Sequence, residues 1–349
     1  MQMAEITIKD IAKECGVGVS TVSRAINNHP DINPETKKMI LEIIERTGFI
    51  PNNSARNLKR TDAKCIAVLV KGITNPLFSS MIKIIEEETQ RSRYALVLRH
   101  VEEQEDEIDV ALELEKEKRL RGIVFLGGLF EHTEEKLEKL KVPFIFSTIG
   151  VNCLDRGGKV VFSNISVDDR LESEKMTEYL LKLGHKKIAL ITEQTGPIGS
   201  LRTQGYREAY AKRGLEVPEK LIYYVQEDID HYSMENGYLT AKQLLASGEE
   251  VTAVYAVSDS LAIGVCRAVM EADKRIPEDI SVAGYDGIEM GEYYNPKLTT
   301  IRQPVEEIAK KTIRLLLDVI GERKEHQQIV LSAELVVRDS TGICQEKID

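Results

Sequence analysis

Apolar residues recur at helical spacing in three short windows at the start of the chain. From residue 65 onward the pattern becomes brief β-branched runs separated by longer amphipathic stretches. Ile8, Ile11, Ala12 and Cys15 mark one face of a first helix, which Gly16-Val17-Gly18 breaks. Residues 19–27 follow as a second helix, with Val22 and Ile26 turned back onto Ile11 and Val19, Ser20, Ser23, Arg24 and Asn27 facing outward. Asn33-Pro34-Glu35 starts a third helix, because Asn caps, Pro suits the first helical position and Glu favours the positive helix end. That helix stops at Gly48, and its stripe of Met39, Ile40, Ile43 and Ile44, with Phe49 beneath, closes a three-helix head. The arrangement predicts a helix-turn-helix whose second helix lies in the DNA major groove. Arg24 can donate two bonds to a guanine, Asn27 can pair with adenine, and the Val19 methyls can meet a thymine methyl.

Residues 51–60 are basic and offer little to bury except Leu58, so a helix there orders only against a partner. A basic segment with one exposed leucine fits a minor-groove wedge that kinks the duplex, although a plain interdomain linker is the alternative. Further on, strand-like runs fall at 65–70, 94–98, 122–126, 144–146, 187–192, 253–257 and 280–284. Helical stretches alternate with them at 77–92, 105–119, 171–183, 202–213, 234–246 and 259–272, and a helix at 305–320 precedes a strand at 329–337. This is the pattern of parallel sheets covered by helices, long enough for two such units, with a change in character near 161–164. Ligands bind beyond the carboxyl ends of such strands. There lie the run 71–78, Thr148, Asp168, Thr192-Glu193, Ser258-Asp259 and Tyr285-Asp286, with Arg202 opening a helix. Carboxylates, an arginine, hydroxyls and aromatics converging on a cleft suit a sugar, whose hydroxyls need donors and acceptors. Taken singly, Asp168 and Asp259 also fit as helix caps.

Charge sharpens the division. The chain has 349 residues and a formal charge of −10, yet residues 1–61 carry nine Lys/Arg against seven Asp/Glu, leaving −12 on the rest. A mildly basic head on an acidic body touches DNA with the head alone. Five scattered cysteines without a C-x-x-C pair, and six scattered histidines, suggest free thiols, no metal site and no cofactor. No apolar run reaches the roughly 18 residues of a membrane span, and the start lacks a secretory pattern, so a cytoplasmic protein is expected. No G-x-G-x-x-G, P-loop or G-x-S-x-G occurs, which argues against an enzyme.

Thr7-Ile8-Lys9-Asp10-Ile11-Ala12, Gly16-Val17, Thr21-Val22-Ser23-Arg24, Asn27, Gly48-Phe49-Ile50-Pro51-Asn52 and Ala55-Arg56-Asn57-Leu58 together resemble the headpiece of the lactose/galactose repressor (LacI/GalR) family of bacterial transcription regulators. The resemblance continues through Asn75-Pro76-Leu77-Phe78, Leu183-Gly184-His185, Arg202-Thr203-Gln204-Gly205-Tyr206, Ser258-Asp259-Ser260-Leu261, Gly284-Tyr285-Asp286 and residues 296–304. It implies an α/β protein: an N-terminal all-α helix-turn-helix headpiece at 1–50, a hinge helix or linker at 51–62, and a periplasmic-binding-protein-like core with parallel sheets at 63–341. The core would comprise an N-subdomain (about 63–162 and 294–322) and a C-subdomain (about 163–293 and 323–341), with a tail at 342–349. Thr7, Val19, Ser20, Thr21, Ser23, Arg24, Asn27, Asn52, Ala55, Arg56 and Leu58 would then contact operator DNA, Leu58 as the wedge. Asn75, Phe78, Thr148, Asp168, Thr192, Arg202, Ser258 and Asp286 would hold the effector, a sugar or sugar phosphate. Gly18 departs from the family pattern, which has Ser there, and Ser258 stands where some sugar-binding members have Asn. The short tail leaves no room for a tetramerising helix, so a homodimer reading a pseudo-palindromic operator is expected, with a protein corepressor among the partners the family uses.

Overall fold

The computed structural model describes residues 6–26, 29–49, 64–102, 104–128, 132–150 and 160–345. They fall into two compact units, Met1–Ala63 and Lys64–Asp349. In the first, helices α1 (Ile8–Glu14), α2 (Val19–Ile26) and α3 (Pro34–Thr47) form the head. The Thr7 backbone N–H and hydroxyl both donate to the Asp10 carboxylate, at 2.9 and 2.6 Å, which starts α1 and holds Asp10 below its ordinary pKa. Gly16, at φ +65°, ends the helix: its N–H reaches the Lys13 carbonyl and the Val17 N–H reaches that of Ala12 at 3.0 Å. Only a glycine takes that φ without strain, so the turn between α1 and α2 is fixed by one residue. Asn33 caps α3 by accepting from the Glu35 and Thr36 N–H groups.

Ile11, Ala12, Cys15, Val22, Ala25 and Ile40 make the buried centre of the head, with Ile8, Val17, Ile26, Ile43, Ile44 and Phe49 packed around it. Met39 differs from the expected stripe and is 38% exposed. Ile40 already fills the centre, so the methionine one residue earlier is turned to solvent.

The second unit contains two six-stranded sheets. Its elements in order are β1 (Cys65–Lys71), α4 (Pro76–Arg91), β2 (Ala95–Val101), α5 (Glu107–Glu117), β3 (Leu120–Leu126), α6 (Glu134–Leu137), β4 (Phe144–Ser147), β5 (Ser163–Val167), α7 (Asp169–Lys182), β6 (Ile188–Thr192) and α8 (Pro197–Lys212). After a 3₁₀ turn come β7 (Ile222–Tyr224), α9 (Met234–Ala246), β8 (Ala253–Ala256), α10 (Asp259–Glu271), β9 (Ser281–Asp286), α11 (Met290–Tyr293), β10 (Thr299–Arg302), α12 (Val305–Ile320), β11 (Gln328–Leu331) and β12 (Glu334–Val336). One sheet runs β11-β5-β4-β3-β1-β2 and the other β12-β10-β9-β8-β6-β7. Every described pairing is parallel except β10 with β12. Apolar clusters lie on the faces of both sheets, and strands such as β1 are buried along their whole length, as parallel strands covered on both faces must be.

Within the described residues the chain passes between the sheets three times, at Val167/Asp169, Arg302/Val305 and Leu331/Glu334. The crossings therefore differ from the expected 162/163, 293/294 and 322/323. Ser163 pairs with Ile145 in the first sheet, Thr299 with Ala283 in the second, and Gln328 with Asn164 in the first. The expected strand at 329–337 is split between the two sheets, and β5, β7 and β10 had no predicted counterpart. Ser163-Asn164-Ile165-Ser166-Val167 is buried yet mostly polar, β7 has three residues, and Thr299-Thr300-Ile301-Arg302 is short and polar at three of its four positions. Neither β5 nor β10 makes an apolar run, and β7 lies in the apolar run 221–225 but is only three residues long.

Candidate functional site

On the head, Val19, Ser20 and Arg24 are exposed on α2, Val19 to 42%, while Thr21 and Ser23 are half-buried on its flanks. Val22 and Ala25 point inward and anchor the helix. The exposed set thus presents a guanidinium, a hydroxyl and an apolar tip from one short helix, the chemistry that reads base edges. Thr7 is exposed, with its hydroxyl engaged by Asp10. Asn27, Asn52, Ala55, Arg56 and Leu58 lie outside the described residues.

In the second unit a cleft opens between the two lobes at the carboxyl ends of their strands. One wall carries Lys71, Asn75, Leu77, Phe78, Thr148 and Ile149; the facing wall carries Glu193, Pro197, Ile198, Arg202, His231, Tyr232 and Asp286, with Gln303 beside it. Phe78 reaches the cleft because Gly127 leaves space. A Cβ there would sit 2.5 Å from the Lys71 carbonyl oxygen and 3.1 Å from the Phe78 ring. Five of the eight expected effector residues, Asn75, Phe78, Thr148, Arg202 and Asp286, meet in this cleft.

Arg202 is the electrostatic centre. It is almost fully buried, donates through Nε and Nη2 to Asp169 Oδ1 at 2.9 and 2.7 Å, and donates through Nη1 to the Val257 carbonyl. Its guanidinium lies 3.6 Å from the centre of the Tyr285 ring and 3.9 Å from Asp286 Oδ1. Burial opposes the Arg202 charge, but Asp169, Tyr285, Asp286 and Tyr232 together outweigh it and lift the pKa well above the ordinary arginine value. Asp286 is pushed up to about 6 by burial, against the pull of Arg202, Gln303 and Asn75. Its carboxylate accepts from Gln303 Nε2 at 2.9 Å and, across the cleft, from Asn75 Nδ2 at 3.3 Å. The buried Gln303 Oε1 has no protein partner. Thr148 and Asp286, one on each wall, hold φ of +76° and +115°. Each non-glycine residue in that region costs about 1–3 kcal/mol, strain that proteins concentrate at functional sites.

Asp168, Thr192 and Ser258 are not brought to the cleft wall. Asp168 caps α7 by accepting from the Leu171 N–H, and Ser258 is fully buried and caps α10 by accepting from the Leu261 N–H. Thr192 is fully buried behind the wall, where its hydroxyl donates to the Gly199 carbonyl at 3.4 Å. Asp259, a cap candidate, instead accepts from the Gly287 and Ile288 N–H groups at 2.8 Å each and from the Thr300 hydroxyl at 2.6 Å, bolting α10 to the end of β9. Burial and the Asp286 charge push its carboxyl up to about 8.

The sequence did not single out Asp169, His231, Tyr232 or Gln303 as ligand residues, and it placed Glu193 at a strand end without assigning it to the effector. That position was the available signal. Asp169 adjoins Asp168 at a helix start, where periodicity cannot tell which carboxylate caps and which turns inward. No described helix is long and apolar enough to cross a membrane, and no cluster of metal-ligating side chains occurs among the described residues.

The model of the lacI family of bacterial regulatory proteins matches residues 7–52, and that of a periplasmic binding protein-like domain matches residues 177–341. The chain is 36% identical over 342 residues to the HTH-type transcriptional regulator MalR of Clostridium butyricum, covering 96% of this chain and 99% of that protein. It is also similar to the crystal structure of a LacI family transcriptional regulator from Enterococcus faecium with bound ribose, at 32% identity and a TM-score of 0.68, over 80% of this chain and 99% of that one. The lac repressor dimer bound to operator and the anti-inducer ONPF shares the fold, with a TM-score of 0.75 at 22% identity over 97% of this chain and 99% of that one.

Proposed function

The chain belongs to the lacI family of bacterial regulatory proteins, and from that premise we propose that its operator affinity is set by a carbohydrate-like effector bound between the core lobes. It is a DNA-binding transcriptional regulator with a ligand-binding core, and not an enzyme. One observation carries the reading of the effector: the cleft sets a buried arginine, a carboxylate tethered to the opposite wall and an unpartnered amide oxygen beside Phe78, Leu77, Ile149 and Ile198. Donors and acceptors above an apolar wall suit a ring with hydroxyls on its edge and C–H groups on its face. The bound ribose of the Enterococcus faecium relative agrees with that reading.

Val19, Ser20 and Arg24 would read the major groove, and Leu58 would wedge the operator centre within a basic segment at 51–62. Two copies on a two-fold axis would read a pseudo-palindrome, and the protein would act as a repressor in the cytoplasm. Effector binding would change the angle between the lobes and couple to operator affinity by about 1–3 kcal/mol. The chain has no tryptophan, so calorimetry serves better than intrinsic tryptophan fluorescence. Titrating the purified protein with mono- and disaccharides should give saturable heat with at least one of them. Asp286→Ala should abolish that heat without unfolding the chain. Heat that survives Asp286→Ala would place the ligand elsewhere, and a response to nucleobases alone would replace the carbohydrate reading.

A further inference from the structure

We infer that Glu193 makes this cleft select an uncharged polyol and reject sugars that carry a phosphate or carboxylate group. The inference rests on the carbohydrate reading above and narrows its ligand class. Glu193 follows β6 and is only 7% exposed, so its carboxylate is built into the wall. Oε1 accepts from the Gly199 N–H at 3.0 Å and from the Tyr232 hydroxyl at 2.6 Å, while Oε2 lies 3.5 Å from His231 Nδ1. The start of α8 is shaped around this side chain. A Cβ on Gly196 would fall 2.5 Å from Glu193 Oε1, and one on Gly199 would fall 2.3 Å from its Cγ.

The charges about the cleft are unequal. Lys71 donates to the Glu105 carbonyl at 2.8 Å and lies 3.7 Å from Glu107, and Arg202 is shared between Asp169 and Asp286. Among the described residues, the lysine and arginine of the lining, with their carboxylate partners and Glu193, set four carboxylates against two cations. A phosphate or carboxylate ligand needs charge-assisted donors, and both cations are committed. What the wall offers instead is acceptors, Glu193, Asp286 and the Gln303 amide oxygen, which suit the hydroxyl donors of a neutral sugar.

The test is calorimetry on the full chain with ribose, glucose, maltose and cellobiose, against glucose 6-phosphate, ribose 5-phosphate, glucuronate and inorganic phosphate. A neutral sugar should bind about 100-fold or more tighter than its phosphorylated or oxidised counterpart. Loss of one hydrogen bond to a charged group corresponds to about 10–100-fold, so Glu193→Gln should weaken the neutral sugar within that range. It should also narrow the neutral-to-anionic ratio, which a merely structural role would leave unchanged. Gln retains an acceptor for the Gly199 N–H, and the wild-type comparison stands even if the variant does not fold. Tighter binding of a phosphate or uronate by the wild type would overturn the inference while leaving the carbohydrate reading in place. An unchanged ratio in a folded Glu193→Gln would overturn the role of that residue. Silence from every sugar would remove both readings.

Discussion

The Asn75 side chain joins the two lobes: its oxygen caps α4 by accepting from the Leu77 N–H at 3.0 Å, and its nitrogen donates to Asp286 across the cleft at 3.3 Å. The two contacts fix the amide orientation, since a flipped amide would face the carboxylate with an acceptor. Asn75→Ala should cost about 1 kcal/mol from the lost cap alone, read as a lower denaturant midpoint. Asn75→Asp keeps the cap but sets a second carboxylate against Asp286. Its cleft should open more at pH 7 than at pH 5, where Asp286 is largely protonated, and small-angle scattering would show a radius of gyration that falls on acidification. A pH response equal to wild type would contradict the tether.

Asp286 makes a second prediction about pH. Its folded pKa of about 6 lies above the ordinary 3.8 because burial disfavours the charge. The folded chain therefore binds this proton more tightly than the unfolded chain between about pH 4 and pH 6. The group contributes stability below about pH 4 that is lost as the pH rises through 6. Asp286→Asn cannot titrate, so its stability should gain on wild type from pH 4 to pH 7, by roughly 1.4 kcal/mol for each pH unit that separates the folded and unfolded pKa values. Urea midpoints of the two proteins that run parallel across this range would refute the assignment.

Gly18 precedes α2, where the Thr21 N–H bonds to its carbonyl at 2.9 Å. A Cβ there would have Ser20 Oγ at 3.5 Å as its nearest neighbour, ordinary van der Waals contact. Gly18→Ser should therefore fit and add an N-cap worth a few tenths of a kcal/mol. A small rise in the melting midpoint of the head supports this; a fall would mean that the serine cannot reach the helix start.

Arg24 projects from α2 without support from the buried face. If it reads a base edge, Arg24→Ala should weaken operator binding by about 1–3 kcal/mol and relax the preference at one base pair per half-site. A phosphate contact would instead weaken all sequences alike and lower the salt slope by about one. A selection experiment on randomised half-sites separates the two.

Much of this architecture was legible because it rests on periodicity and punctuation. Gly16 ends α1, Asn33-Pro34 opens α3, and the buried runs of β1, β3 and β6 are apolar enough to declare themselves. Two of the strands that escaped notice bury polar residues, as Ser163, Asn164 and Ser166 do in β5 and Thr299 and Thr300 do in β10, and the third, β7, has only three residues. The site was legible where one residue both ends a strand and faces the cleft, as Asp286 does. It was not legible where neighbours divide the work: Asp168 caps while Asp169 holds Arg202, and Ser258 caps while Asp259 bolts α10 to β9. Glu193 depends on Tyr232, 39 residues away in sequence, and contacts of that kind leave no local pattern.

The most direct test of the whole account is fluorescence anisotropy with DNA from upstream of the protein's own gene and a scrambled duplex at the same salt, each with and without the neutral sugar that binds best. The account predicts specific binding tighter by about 10³-fold or more, shifted by the sugar about 5–150-fold, with the shift lost in Asp286→Ala. Equal, salt-limited binding to both duplexes, or a specific complex whose affinity the cleft ligand leaves unchanged, would contradict it.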